Sequence, residues 1–160
     1  MKRVLQVIST LEQGGTEAVV LNYFNNIDRD KIAFDFLVIW GNNKGFYEDY
    51  LESKGCQIFK MKNTPNKYFS HGKELNNFFK AKKYDIVHIH AMSSLRYRVA
   101  KAAKKSGIKT VIYHSHNSSN EKHLLIHKIL KNRLNKWCDY KFACSFLAGK
   151  YMYNGEFKVI

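Results

Sequence analysis

Proline is nearly missing from this chain of 160 residues, and Pro65 is the only one. No Gly/Ser-rich stretch and no internal repeat stand in for a linker, so residues 1–160 read as a single domain. Cysteine is scarce too. Cys56, Cys138 and Cys144 are odd in number and lack a C-x-x-C spacing, which argues against a disulfide framework. Cys138 and Cys144 flank a strand-like run and are expected as small buried apolar residues. Long apolar runs are lacking, since no stretch approaches the eighteen or so residues of a membrane span. The opening MKRVLQVIST sets a charged pair before an apolar run. That run is too short for a signal peptide, and no small-residue cleavage site follows before Glu12. A cytoplasmic location is therefore expected.

Acidic residues are the last shortage, and it is uneven. Residues 1–80 hold 11 Lys/Arg and 9 Asp/Glu, whereas residues 81–160 hold 16 and 4, giving +2 and +12 of the total +14. Such asymmetry suits an anionic partner: nucleic acid, an acidic membrane or a phosphorylated small molecule. A solvated lysine-rich surface is the plain alternative. Nucleic acid is not expected, because Phe34, Phe36, Phe78 and Phe79 sit at core-like positions rather than interleaved with exposed basic residues.

What is present alternates. Strand-like runs at 3–9, 33–40, 56–61, 84–90, 109–115, 140–145 and 157–160 are separated by helix-like runs at 15–27, 45–55, 70–83, 94–107 and 120–138. A further helix follows Ser145. Gly55 and Gly107 close two helices, and Ser70 is a candidate N-cap. Strict alternation with nearly continuous apolar strands predicts an α/β fold, a Rossmann-like parallel sheet with helices on both faces. Ligands of such sheets bind beyond the carboxyl ends of the strands. Gly14-Gly15, two His-x-His pairs (His88/His90 and His114/His116) and Ser145 all fall there.

Each motif has two readings. Gly14-Gly15 can let a phosphate approach a helix N-terminus, or can simply make a turn. The pair is neither G-x-G-x-x-G nor a P-loop. The histidines could hold metal, act as a base or be buried residues without chemistry. No carboxylate-rich or Cys-rich third ligand is at hand, so no metal site is expected. His88 and His114, embedded in apolar strand, are expected as satisfied core histidines, and His90 and His116 as the pair that meets a ligand. Helix 120–138 carries Leu125, Ile126, Ile129, Leu130, Leu134 and Trp137 on one side and lysines on the rest. The apolar side is expected on the sheet, with the basic face free to touch anionic lipid.

With "VLQVISTLEQGGTEAVVLNYFNNID", "FDFLV", "YDIVHIH", "HSHNSS" and "FACSFLAGKYM" in this order, the chain resembles the N-terminal domain of family 4 glycosyltransferases of the GT-B fold, most of all bacterial capsule and exopolysaccharide enzymes. The resemblance covers essentially the whole chain. It implies a retaining, metal-independent transferase without a cofactor. Its N-terminal half would hold a lipid-linked saccharide acceptor at the inner membrane face, and its C-terminal half a nucleotide-sugar donor. By the same resemblance, Gly14, Gly15 and Thr16 meet the donor diphosphate and His116 contacts the transferred sugar. His90, Asn117 and Ser145 line the acceptor side. The family's donor domain, with its Glu-x7-Glu signature, is not in this sequence. The expectation is thus an excised domain, a split gene product or a truncated frame, inactive alone. A non-enzymatic module that binds an anionic ligand or a partner protein is the alternative.

Overall fold

The computed structural model describes residues 1–41, 43–118 and 124–160, apart from the side chains of Leu124 and Ile126. Seven strands form one parallel sheet: β1 (Lys2–Ile8), β2 (Ile32–Val38), β3 (Ile58–Lys60), β4 (Ile86–Ala91), β5 (Thr110–Ser115), β6 (Tyr140–Ala143) and β7 (Lys158–Val159), in the order β3-β2-β1-β4-β5-β6-β7. The helices are α1 (Gly15–Asn26), α2 (Glu48–Ser53), α3 (Tyr68–Ala81), α4 (Tyr97–Lys105), α5 (Leu124–Asn135) and α6 (Phe146–Met152), with a 3-10 turn at Ser94–Arg96. Chain direction across the sheet reverses between β1 and β4. A crevice therefore opens above the carboxyl ends of those two strands.

Alternation along each strand divides the core. Val4, Ile8, Phe34, Phe36 and Val38 pack with Val20, Phe24 and Leu51 of α1 and α2 on one face. Leu5, Val7, Leu37, Val87, Ile89, Val111 and Tyr113 pack on the other face with α3, α4, α5 and α6, through residues such as Leu75, Phe79, Val99, Ala103, Leu134 and Met152. Both faces are buried over the central strands, which is why these strands are almost continuously apolar. At the amino edge, Asp35 gathers Arg3, the Tyr84 hydroxyl and the Gln57 N–H at 2.7, 3.0 and 2.9 Å. This ties β1, β2 and the entries to β3 and β4 together. Gly55 and Gly107 do close α2 and α4, with φ of 87° and 92° that only glycine adopts without strain.

Several expectations change. Helix α3 begins at Tyr68, so Ser70 lies inside it and Lys67 is the N-cap. The run 94–107 splits into the 3-10 turn and α4. Cys144 is exposed and Cys138 only half-buried, because the strand between them ends at Ala143, beside a sheet edge with little to cover it. On α5, Leu130 and Leu134 pack inward, but Leu125 and Ile129 point to solvent. The cause is His127. It is buried, its Nδ1 accepts from the Ser94 N–H at 3.2 Å, and its Nε2 lies 2.9 Å from the Tyr151 carbonyl oxygen. Residues two positions away lie about 200° around a helix, so Leu125 and Ile129 face out. The start of the expected helix 120–138, Lys122 included, and the side chain of Ile126 lie outside the described residues.

Candidate functional site

Four histidines converge on the α1 side of the sheet at the β4 and β5 carboxyl ends. Val87, Ile89, Val111 and Tyr113 belong to the opposite core, so the period of two sends His88, His90 and His114 to the same face as Gln6. His90 and His114 are register partners across β4 and β5. The ring centroids of His88 and His90, and of His114 and His116, are 4.2 Å apart, and His88 stacks on His114 at 5.5 Å with an interplanar angle of 4°. Tyr23 of α1 stacks on His88 at 6.5 Å.

A hydrogen-bonded chain orders part of this cluster. Gln6 Oε1 is 2.8 Å from His90 Nε2, and His90 Nδ1 is 2.9 Å from His116 Nε2. With the Gln6 carbonyl oxygen facing His90, Nε2 of His90 must carry the proton and its Nδ1 must accept. His116 then donates from Nε2, which leaves Nδ1 of His116 as an acceptor. The His116 backbone N–H is held by the Ala91 carbonyl oxygen at 3.1 Å. Burial lowers all four imidazoles: His88 and His114 to about 3, His116 to about 4, and His90 well below its usual value, with neighbouring imidazoles adding to the shift in His88, His90 and His114. The cluster is therefore neutral at pH 7.

These positions revise the expected roles. His90 is fully buried and uses both ring nitrogens inside the protein, so it positions His116 rather than lining an open cleft. Among the described residues, His88 Nε2 and both ring nitrogens of His114 are buried without a partner, so these two are core residues but not satisfied ones. His88, His90 and His114 each bring a ring nitrogen within 4.8 Å of the others, the described group that could hold a metal ion. The set has no thiolate or carboxylate, and an ion taking His90 would have to break its bond to Gln6 or to His116. Ser145 spends its hydroxyl on the Ala148 N–H at 3.2 Å as the cap of α6. Asn117 is half-buried directly after His116, and its carbonyl oxygen accepts from Ser115 Oγ at 3.3 Å.

The glycine turn lies at the same edge. Gly14 caps α1 without a side-chain cap, and its φ of −162° is ordinary extended backbone. A Cβ on Gly15 would meet nothing within 4 Å. Glycine is thus not demanded by strain here; it leaves open space in front of a helix N-terminus. Thr16 follows, half-buried in the first turn. Glu17 is buried beside this turn, its carboxylate accepting from Thr10 Oγ1 at 3.1 Å. Sequence reasoning passed over Gln6, Arg96 and His127. Gln6 was the one with a visible signal, a lone amide inside an apolar strand.

A doubly wound parallel sheet with its polar groups gathered above the strand-order reversal is a Rossmann-like ligand-binding domain. The chain belongs to Glycosyltransferase Family 4, whose profile matches residues 13–148. It is 30% identical over 120 residues to "Putative glycosyltransferase EpsF" of Bacillus subtilis (strain 168), a match that covers 74% of this chain and 31% of that protein. Among solved structures it resembles Anabaena Alr3699/HepE in complex with UDP and glucose, with a TM-score of 0.71, 14% identity, and 100% of this chain and 44% of that one covered. MurG of Acinetobacter baumannii gives a TM-score of 0.65 at 15% identity over 99% and 44% of the two chains. At these identities the structural likeness establishes the fold. The chain thus spans about a third of the length of the curated relative it matches.

Proposed function

We propose that this chain is the acceptor-side half of a retaining glycosyltransferase that moves a sugar from a nucleotide-sugar donor to a lipid-linked saccharide during surface polysaccharide synthesis. The observation that carries the reading is the pairing, at one sheet edge in a family 4 chain, of a Gly14-Gly15-Thr16 turn open at Gly15 with a His116 whose Nδ1 is left to accept. His116 is neutral, so that nitrogen takes a hydrogen bond from a sugar hydroxyl and orients the sugar. The backbone N–H groups that open α1 favour the diphosphate, which leaves with developing negative charge. The Glu17 carboxylate lies against Gly14, so the approach to the helix N-terminus is at Gly15. Asn117, beside His116, meets the acceptor. No metal ion or other cofactor takes part in this reading. Among the described residues no helix is long and apolar enough to cross a membrane. Exposed Leu125, Ile129, Phe146 and Leu147, set among lysines, support peripheral contact with an anionic membrane, which would place the enzyme at the cytoplasmic face.

The test joins this domain to the donor half of a family relative and follows sugar transfer. Gly15→Val places its Cβ in open space, so the fold should survive while phosphate approach is blocked. Turnover should fall about hundredfold. Wild-type turnover in this variant would sink the phosphate assignment.

A further inference from the structure

A second cavity, of about 680 Å³, lies on the other side of the crevice, between the strand ends, α3, α4 and α5. Its walls include Arg96, Arg98 and Arg133 together with Trp40, Met92 and Leu95, and among the described residues no Asp or Glu lines it. Arg96 holds the cavity to the site: its Nη2 donates to Ser9 Oγ, the residue after β1, at 2.7 Å. Its Nη1 is buried and has no partner among the described residues. Arg98 stacks on the Tyr68 ring at 3.6 Å and donates to the Tyr68 carbonyl oxygen at 2.6 Å, a geometry that fixes its plane. None of the three arginines forms an ion pair among the described residues.

Arg96 is half-buried with its Nη1 enclosed; a guanidinium nitrogen held from water without a counter-charge is costly, and burial lowers the pKa of Arg96. Proteins keep such a group where a ligand supplies the charge. Trp40, Met92 and Leu95 stay exposed around the same cavity, so the anion comes with an apolar portion. We propose that this cavity binds the phosphate group of an amphipathic phosphate ester, with Arg96 and Arg98 on the phosphate oxygens and Trp40, Met92 and Leu95 along the apolar chain. Guanidinium forks match the oxygens of a phosphate, which can accept from more than one of them. The inference rests on the acceptor reading above. It puts the acceptor's phosphate beside Ser9, with its sugar directed into the crevice at the β1 and β4 ends.

Calorimetric titration of the chain with three probes tests this: dodecyl phosphate as monomer, inorganic pyrophosphate, and dodecanol. Dodecyl phosphate should bind one to one and salt-sensitively, pyrophosphate weakly in competition with it, and dodecanol not measurably. Arg96→Met should weaken dodecyl phosphate about tenfold or more and should leave the unliganded melting temperature unchanged or raised, since it removes an unpaired buried charge. Arg98→Gln gives the same loss of affinity if Arg96→Met fails to fold. Sedimentation with phosphatidylcholine vesicles, with and without phosphatidic acid, separates the sources. Arg96-dependent recruitment by phosphatidic acid means a lipid headgroup, and binding of the monomer alone means a free ester. Equal binding of dodecanol, or full dodecyl phosphate affinity in both variants, overturns the proposal. Either failure leaves the transferase reading intact, because that is read by sugar turnover, which Gly15→Val tests separately.

Discussion

Mild acid should destabilise this domain by charging histidines that the fold keeps neutral. His88 and His114 are held at about 3 and His116 at about 4 by burial, against an unfolded value near 6.5. Between those limits the unfolded chain binds protons that the native chain refuses. Stability is therefore complete above about pH 6.5 and falls as pH drops towards the folded values. From about pH 7 to about pH 5.5 each such histidine costs about 1.3 kcal/mol, so the three together cost about 4 kcal/mol. That is a large part of the stability of an ordinary domain, about 5–15 kcal/mol. Burial lowers His90, His71 and His127 as well, which adds in the same direction. Asp28 and Asp85, whose pKa values the fold also lowers, titrate below this window. Urea denaturation at the two pH values measures the difference. His114→Phe should reduce it by about 1.3 kcal/mol and stabilise the protein at both, since neither His114 nitrogen has a partner to lose. A loss below about 1 kcal/mol in the wild type would refute a buried neutral cluster.

Gln6→Leu removes the acceptor of the His90 Nε2 proton and should cost about 1–3 kcal/mol; nitrogen-15 spectra should show His90 and His116 populating both tautomers, and unchanged tautomers would argue against the chain. Gly149→Ala puts a Cβ 2.0 Å from the Phe157 ring, so unfolding should become easier by about 1–3 kcal/mol, seen as a lower melting temperature. Tyr153→Phe removes a buried hydroxyl whose single proton is shared between the Tyr113 and Phe142 carbonyl oxygens at 2.5 and 2.8 Å, for a similar loss. Chelators should leave both melting temperature and sugar transfer unchanged; a fall in either would mean that the histidines hold an ion.

The sheet was legible because parallel strands buried on both faces spell out apolar runs, as in "RVLQVIS" and "KTVIYHS". The same pattern placed both His-x-His pairs at the carboxyl edge, and period-two alternation put each pair on one side. It did not show which histidine is free. That depends on the β1–β4 register, which brings Gln6 opposite His88 and within reach of His90, 84 positions away. Ser70 was misread because a serine ahead of a polar run looks like a cap wherever the helix actually starts. Cys144 and Leu125 were misread because burial at a sheet edge, or on a helix rotated by His127, is decided by neighbours distant in sequence. Arg96 gave no local signal: one arginine among many becomes notable only when its Nη1 is found buried and unpaired.

The steady-state kinetics of His116→Ala, in this domain joined to the donor half of a family relative, test whether His116 orients the transferred sugar. The turnover number should fall about tenfold to a hundredfold, the worth of one hydrogen bond to the reacting sugar, with little change in the Michaelis constant for the acceptor. Wild-type turnover would contradict it, and so would a loss confined to the acceptor's Michaelis constant.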